Sequence, residues 1–264
     1  MSDSSRSDRD RIAEQTKQHL ESLKAAGVEW VPAPPKVRKK PARPLEPPAA
    51  AAAMFRDSLA DPRASAAAPD VDQRRKELAV LAEQVTGCVK CTELCSTRTQ
   101  TVFGVGPVDV ELCFVGEAPG ADEDAQGEPF VGAAGQLLNK IIIACGMKRE
   151  EVYILNILKC RPPGNRPPLP DEAANCRGFL DRQLELIRPR FLCALGATAA
   201  QNLLGTTQSI GKLRGSFQQY NGIPVLCTYH PAYLLRSPEK KREVWEDMKR
   251  LLEKMGRPVP QKGQ

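Results

Sequence analysis

The chain predicts an α/β fold, a short parallel sheet covered on both faces by helices, and three observations carry that prediction. From Lys76 onward, short apolar runs alternate with stretches of helical periodicity. Strands and helices in alternation build parallel strands buried between helical layers. The side chains best suited to chemistry fall just after the apolar runs, beyond the carboxyl ends of the strands, where such folds hold their ligands.

Each element follows from local chemistry. Ahead of the core, RDRIAEQTKQHLESLKAAGVEW places Ile12, Thr16, His19/Leu20 and Leu23 at helical spacing. It reads either as a marginal helix frayed in solution or as a docking peptide for a protein partner. Pro32 to Asp70 is dominated by Pro, Ala and Lys/Arg and lacks the apolar residues needed to offset its ordering entropy, so a disordered linker is expected. The expected organisation is an extension over 1–75, a folded domain over 76–258 and a short tail over 259–264. Within the domain, VELCFVG reads as a buried strand and GAAGQLLNKIIIACG as a helix ended by Gly146. VYILNILK is a second strand. DEAANCRGFLDRQLELIRP is a helix with an aspartate N-cap, stopped at Pro189. RFLCALG, TAAQNLLG and IPVLCTY continue the alternation. SPEKKREVWEDMKRLLEKMG closes it with a helix capped by Ser237 and stopped at Gly256.

Composition excludes some classes of function. The net charge of +6 divides evenly on either side of Arg75, so charge alone argues weakly for nucleic acid. No apolar run reaches the roughly 18 residues of a membrane span, and the polar N-terminus has no signal-peptide core. A soluble, cytoplasmic and monomeric protein with no membrane partner is expected.

Nine cysteines in such a chain favour reduced thiols or metal ligation over disulfides. Cys113, Cys193 and Cys227 lie in strand-like runs and Cys145 closes a helix, all consistent with core packing. Cys95 reads as a spare. The remaining four form two distant pairs, Cys88 and Cys91 in GCVKC, and Cys160 and Cys176 at the ends of CRPPGNRPPLPDEAANC. Four thiolates suit a tetrahedral zinc or an iron-sulfur cube. A zinc ribbon closes two nearby knuckles, so the wide separation leans towards a cluster while zinc and unpaired thiols stay open.

The stretch FVGEAPGADEDAQGEPFVG leaves a strand through Gly116, Glu117 and Gly120 and then adds more acids, which is wrong for a phosphate-cradling loop. Glu117 follows the first strand, Asn156 sits within or near the end of the second, and His230, one of two histidines, follows the last. The fold would bring all three to one rim. Taken singly, Asn156 could be satisfied by backbone and His230 could be a turn residue.

With GEAPG, the cysteine spacing and HPAYLLR in view, the core from about Leu78 to Met255 resembles the family 4, iron-sulfur uracil-DNA glycosylases. The resemblance implies a three-layer α/β/α sandwich and a DNA-repair enzyme that flips uracil out of DNA and hydrolyses its N-glycosidic bond. It also implies a 4Fe-4S cluster on Cys88, Cys91, Cys160 and Cys176. Phe130 matches the aromatic that stacks on the flipped base, and Asn156 the amide that pairs with uracil O4 and N3–H. His230 matches the donor to O2 as negative charge develops there. Gly116 and Glu117 line the base pocket. Leu234, Leu235 and Arg236 match a loop that enters the minor groove. The archetypal branch of the superfamily has an aspartate where this chain has Ala118. Glu117, Glu123 and Asn165, with Asp122 and Asp124, are therefore the candidates to position water or stabilise the sugar cation. A related branch captures uracil covalently through a histidine after the second strand. CRPPGNRPPLPDE contains none, which implies turnover. The rivals are a non-catalytic binder of uracil or damaged DNA with the same fold, and an iron-sulfur electron carrier.

Overall fold

The computed structural model describes Glu14 and residues 70–260. Apart from Glu14, the expectations for an N-terminal helix and a Pro/Ala-rich linker concern residues outside those described, as does the last part of the tail.

Five strands form one sheet: β1 (Leu112–Gly116), β2 (Tyr153–Asn156), β3 (Phe191–Leu195), β4 (Phe217–Tyr220) and β5 (Ile223–Thr228), in the order β2-β1-β3-β5-β4. The four strands expected from the apolar runs are parallel. The fifth, β4, is antiparallel to β5, so the sheet is mixed at one edge. Asn221 and Gly222 both take positive φ and make the tight turn that folds the chain from β4 back along β5.

Nine helices are described around the sheet: α1 (Val71–Thr86), α2 (Thr92–Thr97), α3 (Ala121–Gln126), α4 (Ala133–Ala144), α5 (Pro170–Ile187), α6 (Ala197–Leu204), α7 (Ile210–Leu213), α8 (Pro231–Arg236) and α9 (Lys241–Met255). Because strand side chains alternate, Cys113, Val115 and Leu155 face one core with Leu180 and Leu184 of α5 and Leu203 of α6. Leu112, Phe114 and Ile154 face another with Leu138 of α4, Leu234 of α8 and Met248 of α9. The result is the expected three-layer sandwich.

Three local expectations change. The boundary drawn after residue 75 cuts through α1, where Arg74, only 4% exposed, donates to the Leu186 carbonyl and pairs with Asp109. Residues 71–75 therefore belong to the folded body. At its other end Val259, placed in the tail, packs against the second core. The N-cap of α5 is Leu169, not Asp171. Pro170 takes the first helical position, where no N–H is required, and the Glu172 carboxylate accepts the Leu169 N–H at 2.8 Å. Ser237 precedes a short 3₁₀ turn, Pro238–Lys240, that leads into α9, and Gly256 ends α9 in the left-handed region as expected. Among the described residues no helix is long and apolar enough to cross a membrane.

The sheet order positions the site. The chain leaves β1 for β2 on one side, and β3 lies on the other side of β1. Such a reversal opens a crevice beyond the strands' carboxyl ends.

Candidate active site

A cavity of about 520 Å³ occupies that crevice, and Glu117, Glu123, Phe130, Asn156, Asn165, His230 and Arg236 all line it. Residues scattered over more than half the described chain thus meet at one rim.

Asn156 ends β2, opposite Gly116 of β1. Its residue is 2% exposed, and its Oδ1 is the one buried side-chain oxygen or nitrogen among the described residues that has no hydrogen-bond partner. A buried unpaired acceptor costs on the order of 1–3 kcal/mol, a cost that a ligand's N–H would remove. Gly116 is needed for this close approach: a Cβ there would fall 2.2 Å from Asn156 Oδ1 and 2.6 Å from the Phe130 ring.

Phe130 holds a left-handed backbone, φ 54°, that costs a non-glycine residue roughly 1–2 kcal/mol. Glu123 holds it there. One carboxylate oxygen accepts the N–H groups of Val131 and Gly132 at 2.9 and 3.0 Å, and the other accepts that of Gly120 at 3.1 Å. From the other side Arg149 donates to the Pro129 carbonyl. Gly135, at the start of α4, lets the loop pack down, since a Cβ there would lie 1.9 Å from the Phe130 carbonyl oxygen. Glu123 was expected to handle water. Its oxygens are occupied by backbone donors, so the structure makes it the clasp of the pocket loop instead. The Gly-x-x-Glu spacing of a capping box was the signal for that role.

His230 precedes α8, and its Nδ1 accepts the Ala232 N–H at 3.1 Å. The proton of the neutral ring therefore sits on Nε2. Its ring centroid lies 5.6 Å from that of Phe130. Burial pushes its pKa down to about 4, helped by the positive charge of Arg236 and opposed by Glu123. At neutral pH the histidine is an uncharged donor.

The mouth of the cavity carries the polar remainder. Glu117 and Asp122 line it, and neither carboxylate is engaged by a cation or backbone donor among the described residues. Asp124 turns away: it is 2% exposed, and both its oxygens accept the Thr99 N–H at 3.0 Å. Asn165 is exposed, with φ 55°, and accepts from Arg161 at 2.8 Å. Arg166, which sequence reasoning missed, fixes this loop through Glu172 and Glu93. Leu234 to Arg236 are helical rather than a loop. Leu234 is fully buried in the core beneath α8 and cannot reach a groove, whereas Leu235 is 47% exposed and Arg236 is exposed. The helical period turns adjacent residues to different faces.

A second assembly lies beside the cavity. Cys160 and Cys176 are buried with Leu94 and Leu158 in a small separate core, against which Cys91 and Ala118 pack. The charges of Cys88 and Cys91 would reach Cys176, and that of Cys88 would reach Cys160. Arg98 donates to the Cys160 sulfur at 3.0 Å and to the Cys88 carbonyl at 2.9 Å, a cation placed to favour thiolate. Among the described residues, no three His, Cys, Asp or Glu side chains converge tightly enough to hold a single metal ion. The four thiols share one neighbourhood. Cys95 stands next to them without joining the buried core.

Comparison with known proteins agrees with this geometry. The family profile of the uracil DNA glycosylase superfamily matches residues 103–249. The chain is 42% identical to a type-4 uracil-DNA glycosylase of Archaeoglobus fulgidus over 188 residues, 68% of this chain and 94% of that protein. It is 45% identical to a type-4 uracil-DNA glycosylase of Thermotoga maritima over 181 residues, 67% of this chain and 94% of that protein. A type-5 uracil-DNA glycosylase of Pyrobaculum aerophilum is more distant, 29% identical over 184 residues.

Proposed function

Because the chain belongs to the uracil DNA glycosylase superfamily, among its type-4 members, we propose that the cavity between β1, β2 and β5 is where it excises uracil from DNA. The protein is a DNA-repair glycosylase that hydrolyses the N-glycosidic bond of uracil in DNA. The orphaned Oδ1 of Asn156 carries the assignment of the site.

A flipped uracil stacks on Phe130 and presents its N3–H to Asn156 Oδ1, while the amide nitrogen donates to O4. Cytosine has the opposite donors and acceptors at both positions, so it would leave the amide unpaired in a buried site. As the bond between N1 and C1′ breaks, both electrons pass to the base and negative charge grows at O2. The neutral imidazole of His230 donates its Nε2 proton in a hydrogen bond to that oxygen without giving the proton up. Such a donor contributes a few kcal/mol when it is fixed before the reaction. Water adds to C1′, and its proton passes to Glu117, one of the two cavity carboxylates without a partner among the described residues, with the other, Asp122, and Asn165 polarising the mouth. Arg236 and Leu235 face the DNA from the exposed side of α8.

Cys88, Cys91, Cys160 and Cys176 are the residues that would hold a 4Fe-4S cluster. The burial of Cys160 and Cys176, the packing of Cys91 against them and the adjacent Arg98 support that reading. Since hydrolysis of the N-glycosidic bond is redox-neutral, the group would supply a crosslink. Held together by it, Cys88 and Cys91 before α2 would be tied to Cys160 after β2 and to Cys176 of α5. Arg166 extends that tie to the Asn165 loop through Glu93 and Glu172.

The test is incubation of the purified protein with an oligonucleotide carrying a single uracil, followed by alkaline cleavage. A strand break at the uracil position is expected for the wild type and not for an Asn156→Ala, His230→Ala double variant. Equal cleavage by both proteins would remove the cavity from the mechanism.

A further inference from the structure

Behind the pocket wall lies a buried polar group that the excision chemistry does not use. Lys159 is 1% exposed, yet its Nζ donates to the Asn156 carbonyl at 2.9 Å and to Gln183 Oε1 at 2.6 Å. Gln183, on α5 and fully buried, passes its own amide protons to the Phe103 carbonyl at 3.0 Å and the Tyr153 hydroxyl at 3.1 Å.

Strand geometry explains why an ammonium sits there. β2 is an edge strand, paired on one side with β1. On its open side the segment 102–105 covers it: Val105 and Ile154 exchange both backbone bonds, and the Val102 N–H donates to the Lys159 carbonyl at 2.8 Å. Asn156, two residues further, points its carbonyl to the same side as Ile154 because strand backbone groups alternate. The bonds from that segment fall on Ile154 and Lys159 and skip the Asn156 carbonyl between them, which would otherwise be buried without a donor. Lys159 reaches back three residues and supplies one.

Burying a charge is costly, and a methionine would fill the same tunnel without that cost. What the lysine adds is a fixed orientation of the peptide whose side chain faces the cavity. We propose that Lys159, oriented by Gln183, is a positioning residue for base recognition: it locks the Asn156 peptide so that the amide stays aimed at the uracil edge. This rests on the reading of Asn156 as the base-reading amide. If the peptide turns to find another donor, the side chain leaves the narrow range of geometry that base pairing tolerates.

The experiment uses the full-length protein with Lys159→Met, which keeps stem length and apolar packing, beside Asn156→Ala and Gln183→Met. The readouts are inhibition of excision by free uracil, and kcat and KM on a uracil-containing oligonucleotide. Lys159→Met is expected to weaken uracil inhibition about tenfold or more, the worth of one charge-assisted hydrogen bond. KM should rise with it while kcat at saturation changes less. Gln183→Met should shift both in the same direction by a smaller factor. A purely structural lysine would lower the melting temperature and leave uracil inhibition of the folded enzyme unchanged. That outcome, with Asn156→Ala impaired, overturns the inference alone. An Asn156→Ala enzyme inhibited like wild type overturns the base-site reading as well. Should Lys159→Met not fold, wild-type uracil inhibition in Gln183→Met overturns the inference by itself.

Discussion

Replacing Glu123 by alanine separates a clasp from a catalyst. The carboxylate accepts three backbone N–H groups, two of them from Val131 and Gly132, the residues that follow Phe130. Hydrogen bonds to a charged group are worth about 1.5–3 kcal/mol each, so the two that restrain the loop outweigh the roughly 1–2 kcal/mol strain of the left-handed Phe130. Without them the strain has nothing opposing it from that side, and the loop relaxes away from the cavity. The domain should lose on the order of 5–10 °C in melting temperature, as expected for a deficit of a few kcal/mol in a chain of this size. Uracil binding should weaken about tenfold to a hundredfold, since stacking of one base on an aromatic ring is worth about 1–3 kcal/mol. Thermal melts and inhibition by free uracil measure the two effects on one preparation. If Glu123→Ala melts like wild type, binds uracil equally well and loses only its single-turnover rate, the carboxylate is catalytic and the clasp account is wrong.

Other consequences follow from the same geometry. His230→Ala should lower the single-turnover rate by roughly 10²-fold while substrate binding changes much less, as expected for a group that acts on developing charge; paired rate and binding measurements check it. Because His230 is held near pKa 4 against an ordinary 6.5, the unfolded chain takes up a proton that the folded one refuses between those values. Stability should therefore fall as pH falls through that window, and thermal melts of His230→Ala across it should show a shallower decline. Gly135→Ala should behave as a pocket mutation, with lost uracil binding, because its Cβ would collide with the Phe130 carbonyl. Deleting residues 1–69 should leave uracil excision largely intact, whereas deleting 1–75 should destabilise the domain by cutting α1 and removing the Arg74 contacts.

Much of the layering was legible in the sequence because apolar periodicity is a local signal, and four of the five strands came from it directly. The edge strand β4 escaped because FQQY is polar and half-exposed, although the following Asn-Gly pair is a strong hairpin signal. The start of α1 was blurred by VDQRRKEL, a polar opening turn whose Arg74 is buried only because tertiary partners receive it. Asn156, His230 and Phe130 could be placed at one rim from strand order and family resemblance. What those residues need to work was hidden: the Glu123 clasp, the Gly135 clearance and the Lys159–Gln183 support depend on contacts between distant segments. Leu234 was misplaced because a motif gives residue order and not helical phase. In α8 that phase turns Leu234 to the core and Arg236 to the cavity.

The most direct test of the account exchanges one atom at its centre. Asn156→Asp replaces the amide nitrogen that faces O4 with an oxygen, which repels uracil there and accepts from the amino group of cytosine. Single-turnover kinetics on matched oligonucleotides carrying uracil or cytosine at the same position would read both changes. The expected result is a uracil rate lowered by roughly two orders of magnitude or more, the scale of a mispaired buried polar group, together with cytosine excision above the wild-type background. Uracil excised by Asn156→Asp at the wild-type rate, with cytosine still refused, would contradict the assignment of this cavity as the base-reading site.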